Sequence, residues 1–109
     1  MPSINIYTKE ENIPQLKLLL NELKELIAKK LSCKEIVLKS NEISIRVISP
    51  HTTSQIAELE IVIIAHSFQE RVRNQDKICL EIKNFIQSKI NNISSYVWLQ
   101  LSELGHSSQ

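Results

Sequence analysis

This sequence has almost no net charge. Lysine plus arginine exceeds aspartate plus glutamate by one across 109 residues, so no bulk field draws the chain to nucleic acid or an anionic membrane. Any anion site has to be local. Long apolar runs are missing too. Stretches such as 61–65 fall far short of a bilayer span, and no charged-then-apolar leader opens the chain, so the expected setting is the cytoplasm. Cysteine is scarce. Cys33 and Cys79 stand far apart without CxxC spacing and are expected to be structural core thiols rather than a disulfide or metal site. His51, His66 and His106 share no ligand-like spacing, so no metal is expected. The single glycine, Gly105, falls in a polar tail, 105–109, expected to be loose.

What remains is an ordinary globular composition, 42% hydrophobic and 23% charged, in a length that suits one domain with a real core. Residues 3–8 alternate Ile4 and Ile6 with Ser3 and Asn5, the period of a half-buried strand. Asn12-Ile13-Pro14 reads as a helix start, with Pro14 in the first turn, where its missing N–H does no harm. Leu16, Leu19, Leu20, Leu23, Leu26 and Ile27 then predict a helix over 13–31, with Lys29 and Lys30 at its negative end. The connector 32–41 is polar apart from Ile36, Val37 and Leu38, and its geometry stays open. A strand is expected over 42–49, with Ile43, Ile45 and Val47 on one face and Ser44, Arg46 and Ile48 on the other. Residues 50–55 have loop composition.

The nearly continuous apolar run over 59–66 predicts a strand buried on both faces. A second helix takes Val72, Cys79, Ile82, Phe85, Ile86 and Ile90 as its core stripe, and its start has two readings. Ser67-Phe68-Gln69-Glu70 has the spacing of a capping box, which would place Arg71 and Arg73 in the first turns. A start after Arg73 would leave both arginines in the preceding loop. Residues 96–102 form the last strand, Val97, Leu99 and Leu101 opposite Tyr96, Trp98 and Gln100.

Two halves, 1–50 and 57–104, thus each read strand-helix-strand, and Gln15-Leu16-Lys17 has a counterpart in Gln75-Asp76-Lys77. The expected fold is α/β in the α+β two-layer sense: a tandem β-α-β repeat in one domain, with a four-stranded sheet carrying both helices on one face. The other face, with Ile48 and Trp98, is too apolar for water and calls for self-association.

Pro2 sits directly behind the initiator. Loss of Met1 would make it a secondary amine, and because α-amino groups start near pKa ~8 and fall with burial or nearby cations, such an amine can serve as a base. Retention of Met1 would leave an amide and end that role. A proline here, opening the first of two β-α-β units, resembles the tautomerase superfamily. Ile45-Arg46-Val47-Ile48 looks like the Val-Arg-Val-Ile strand of 4-oxalocrotonate tautomerase, and Arg71, four residues before Gln75, looks like the arginine of that family's Gly-Arg-Ser-x-x-Gln loop. The course from Leu59 onward is similar in layout to 5-carboxymethyl-2-hydroxymuconate isomerase and macrophage migration inhibitory factor. In the latter, an aromatic and an amide alternate on the last strand, as Trp98 and Gln100 do here.

The resemblance implies a homotrimer with sites near subunit boundaries and a cofactor-independent tautomerase or isomerase acting on a small enol or 2-oxo acid. It makes Pro2 the base, Arg46 and Arg71 the carboxylate-binding residues, and Trp98 an apolar wall. Two departures stand out. Lys9-Glu10-Glu11-Asn12 offers no arginine or glycine at the family's loop position, and Arg71-Val72-Arg73 replaces the Gly-Arg-Ser turn, leaving open which arginine faces the pocket. Plainer roles compete at each position: an interface ion pair for Arg46, a solvated helical turn for Arg71 and Arg73, interface packing for Trp98, and a structural histidine at His66. Two other readings of the whole chain stand beside the enzyme. One is a non-catalytic oligomer of the same fold, for assembly or for binding a small acid or a protein. The other is a ferredoxin-like module that shares the order of elements but pairs its strands differently.

Overall fold

The computed structural model describes residues 2–49 and 57–103. The expectations for Met1, the 50–55 loop and the polar tail lie outside these residues. Four strands form one sheet: β1 (Ser3–Thr8), β2 (Ser44–Ile48), β3 (Leu59–His66) and β4 (Ser95–Ser102), in the order β2-β1-β3-β4. β1 and β2 are parallel, as are β3 and β4, while β1 and β3 run antiparallel down the centre. Each half therefore closes its own parallel pair through a helical crossover, and the halves meet at the central joint. This is the tandem β-α-β arrangement, and its strand order rules out the ferredoxin-like pairing.

The crossovers are α1 (Ile13–Lys17) with α2 (Leu20–Leu31), and α3 (Gln69–Arg73) with α4 (Gln75–Lys89). The helix predicted over 13–31 is thus two helices. The Leu19 N–H turns back to Leu16 O (2.9 Å), and this tighter turn re-phases the chain so that Leu16, Leu19 and Leu23 are buried while Leu18 is 82% exposed. The second helix divides at Asn74. Both readings of its start hold in part, since α3 carries Arg71 and Arg73 and the long helix begins afterwards. The Ser67 capping box does not form. Phe68 is the N-cap, and the Ser67 N–H donates to Ser102 O at the end of β4 (3.0 Å).

The core lies between the helices and one face of the sheet. Ile4 and Ile6 of β1 and Leu59, Ile61 and Ile63 of β3 pack with Leu23, Ile27 and Leu31 of α2 and with Ile78, Ile82 and Ile86 of α4. Two expectations need correction. Val72 is 52% exposed because it belongs to α3, and Ile78 takes its place in the stripe. β3 is buried on one face only. Ile61 and Ile63 face the helices, but Ile64 on the reverse is 39% exposed, because both helical layers lie on the same side. That reverse face also presents Asn5, Arg46, Ile48, Val62, Tyr96 and Trp98.

After α4 the chain turns at Asn92, which alone among the described residues has a positive φ (67°). Asparagine is the usual substitute for glycine in that conformation. Among the described residues, no helix is long and apolar enough to cross a membrane.

Candidate functional site

β1 and β3 pair Ser3 with Ile64, so one step outward brings Pro2 beside Ala65. Pro2 is buried there and lines a cleft of about 490 Å³. Ile36, Leu38, Ile64, Ala65 and Phe68 supply its apolar walls, and Ser3, Glu42, His66, Arg71 and Ser102 its polar groups.

The connector after α2 builds one wall. The Ser32 hydroxyl donates to Ala28 O (2.7 Å) and accepts from the Leu38 N–H (2.9 Å), while Cys33 and Ile36 exchange main-chain hydrogen bonds of 2.8 and 3.2 Å. These bonds fold the segment tightly and carry Ile36 and Leu38 to the cleft. A 3-10 turn over Ser40–Glu42 follows, in which Glu42 Oε1 accepts from the Lys39 N–H (2.8 Å).

Arg71 ties the walls together. It is only 3% exposed. Its Nε donates to Leu31 O (2.8 Å), a terminal carbonyl of α2 without a helical partner, and its Nη1 donates to His66 O (2.8 Å) at the end of β3. The guanidinium also lies 4.9 Å from the centre of the Phe68 ring. Burial pulls the Arg71 pKa below its ordinary value, against the opposing pull of Cys33 and Glu35. A guanidinium still stays charged at neutral pH, and two carbonyls occupy only part of its five-donor fork. The cleft therefore holds a cation as well as Pro2.

The solvated reading holds for Arg73, which is exposed, but not for Arg71. The other two sequence candidates lie elsewhere. Arg46 is exposed on the open sheet face opposite Asn5, outside the Pro2 cleft. Trp98, 49% exposed, stands on the same face, tilted against Tyr96 with ring centres 6.1 Å apart, and borders a smaller recess of about 240 Å³ with Gln75, Asp76 and Cys79. At that recess Gln75 Nε2 donates to Leu99 O (2.7 Å) on the edge of the sheet. Burial pushes the Cys79 thiol pKa up, against a lowering hydrogen bond from the Leu99 main chain. Both cysteines are free thiols, Cys33 buried and Cys79 half-buried.

One chain thus brings together Pro2 and Arg71 but not Arg46 or Trp98. The sequence reading missed Glu42 and Phe68 and set His66 aside as structural. The signal for His66 lay in the antiparallel registry of the first and third strands, which places the end of the apolar strand beside the start of the chain.

No protein-family model and no curated protein matches the sequence. Solved structures do match. The chain is similar to a macrophage migration inhibitory factor-like protein from Entamoeba histolytica, with a TM-score of 0.65 and 10% identity over 99% of this chain and 95% of that one. It is also similar to a domain of unknown function from Sebaldella termitidis, with a TM-score of 0.59 and 13% identity over 100% and 95%. A fused 4-OT symmetric trimer matches with a TM-score of 0.57 and 13% identity over 96% and 91%. At these identities the likeness is one of fold alone, a fold shared with the macrophage migration inhibitory factor-like and 4-OT structures.

Proposed function

We propose that this protein is a cofactor-independent tautomerase that moves a proton on a small enol or 2-oxo acid, with Pro2 as the base once Met1 is removed. The observation that carries this reading is the placing of Pro2 and Arg71 in one largely apolar cleft. Arg71 would grip the carboxylate and polarise the neighbouring carbonyl through the donors that Leu31 and His66 do not take. The same cation, with the apolar walls, would hold the proline amine neutral near pH 7, as a general base requires. Arg46 and Trp98 would reach the ligand only if copies of the chain assemble through the open sheet face into the expected trimer, each site then drawing residues from a neighbour.

A second reading has an observation of its own. Two donors of Arg71 already serve main-chain carbonyls, as they would in a non-catalytic oligomer that keeps the arginine for structure.

The deciding experiment treats untagged protein with 3-bromopyruvate near neutral pH and maps the label by mass spectrometry. Saturable labelling at Pro2 is the expected result. An intact Met1, or a free Pro2 that stays unmodified while lysines react, overturns the catalytic reading in favour of the assembly role.

A further inference from the structure

Enolising a 2-oxo acid involves two atoms. A proton leaves carbon while charge builds on the carbonyl oxygen, and a single amine cannot sit at both at once. The cleft groups differ sharply in what they can offer that oxygen. Arg71 can donate a hydrogen bond but has no proton to release near neutrality. The hydroxyls of Ser3 and Ser102 are far too weak as acids. Glu42 holds one carboxylate oxygen on the Lys39 N–H, in a turn that it caps. Imidazole is the side chain that ordinarily gains and loses a proton in this range, and the cleft contains one, that of His66.

Its position is fixed from three sides. The strand registry that sets Pro2 beside Ala65 places His66 one residue further on, and both line the same cavity. The His66 carbonyl is held by Arg71 Nη1 (2.8 Å), which ties the guanidinium to the histidine's main chain. The ring meets Phe68 edge-on, with centres 4.7 Å apart and planes at 68°, which limits its rotation. Among the described residues, the charged or titratable groups that line the cleft with it are Pro2 just before β1, whose nitrogen is an amine once Met1 is lost, the Arg71 guanidinium from α3 and the Glu42 carboxylate from the turn before β2.

We infer that His66 is a second catalytic residue of this cleft, the general acid that protonates the carbonyl oxygen of the 2-oxo acid while Pro2 takes the proton from carbon. The inference rests on the tautomerase reading and adds the oxygen's partner to it. In the step, the Pro2 lone pair takes the C3 proton and the C–H pair becomes the new C=C bond. The carbonyl π pair moves onto oxygen, which takes a proton from the His66 imidazolium. The products are the enol, a protonated Pro2 and a neutral imidazole. Water then accepts a proton from the amine and returns one to the ring, so the cycle closes with no other reagent. The oxygen has its donor only while His66 is protonated, and the carbon has its base only while Pro2 is not.

The test follows exchange of the C3 hydrogens of 2-oxobutanoate for deuterium by NMR, across pH, in wild type and His66→Gln, with 3-bromopyruvate labelling of Pro2 in parallel. Glutamine keeps the polarity and much of the bulk but cannot act as an acid. The expected result is a kcat lower by about 100-fold or more and loss of the high-pH limb, with the low-pH limb and Pro2 labelling intact. An unchanged kcat and pH profile in a variant whose Pro2 still labels overturns the role of His66 and leaves the tautomerase reading standing. Wild-type protein with no high-pH limb overturns it as well, whether or not the variant folds. Failure of wild type both to label at Pro2 and to exchange overturns both.

Discussion

Arg71 is the residue on which structure and chemistry converge, and its two carbonyl partners set what a substitution there must cost. Lysine at this position would keep the charge but, with a single ammonium on a flexible stem, could not reach Leu31 O and His66 O together. Arg71→Lys should therefore lower unfolding stability by about 1–3 kcal/mol, the range for stranding a buried polar group, as read from urea denaturation. Arg73→Lys, at an exposed position, should stay within about 0.5 kcal/mol of wild type. Equal effects at both positions would show that the two carbonyl bonds contribute nothing. The sequence could not rank the two arginines, because helical spacing describes only the local turn. Leu31 lies forty positions away, and its orphan carbonyl becomes a partner only once the two halves share a sheet. Pro2 was legible from its place in the chain. The cavity around it was not, because its walls come from the connector whose geometry stayed open, from β3 and from Phe68.

Among the elements, the strands were read best. Residues 3–8 and 59–66 match β1 and β3, since alternation and apolar runs report on neighbours two residues apart. The first helix was read as continuous where the structure breaks it at Leu18–Leu19, because leucine-rich periodicity survives a tight turn that re-phases the same face, whereas the two starts open for the second helix lie on either side of its break at Asn74. What joins the helical layers is partly electrostatic. Lys30 Nζ of α2 lies 2.7 Å from Glu81 Oε2 of α4, and this hydrogen bond is the main reason that the Glu81 carboxyl lies below its ordinary pKa. The folded state then binds protons less readily than the unfolded chain. The contribution is accordingly present above the unfolded glutamate pKa of about 4.3 and lost as pH falls through the lower folded value. Wild type should be somewhat more stable than Lys30→Met at pH 7, and the gap should close as the pH is lowered below about 4, followed by urea unfolding at several pH values. Solvent screening keeps the effect small. The longer, more exposed Lys89–Glu22 pair, at 3.6 Å, serves as the control, and Lys89→Met should show a weaker trend.

At the scale of the whole molecule, the open sheet face is the surface through which copies of the chain would assemble. Trp98 and Ile64 are 49% and 39% exposed on a face that none of the described helices covers, and Arg46 stands among them. A charge there costs little in an isolated chain, where the side chain meets water, and a great deal in a packed interface, where it would be desolvated. Ile64→Lys and Trp98→Glu should therefore leave the circular dichroism spectrum and secondary structure unchanged while shifting the protein to monomer in sedimentation equilibrium. The consequence for chemistry follows from where the residues lie. The monomer retains Pro2, His66 and Arg71 in one cleft but has neither Arg46 nor Trp98 beside it. Monomeric variants should thus still be labelled at Pro2 by 3-bromopyruvate, with weaker saturation by a competing 2-oxo acid, and dilution of wild type should weaken saturation in step with dissociation. A wild-type protein that is monomeric at high concentration, with labelling that saturates as tightly as in concentrated solution, would mean that the single-chain cleft is the whole site and that Arg46 has no part in it.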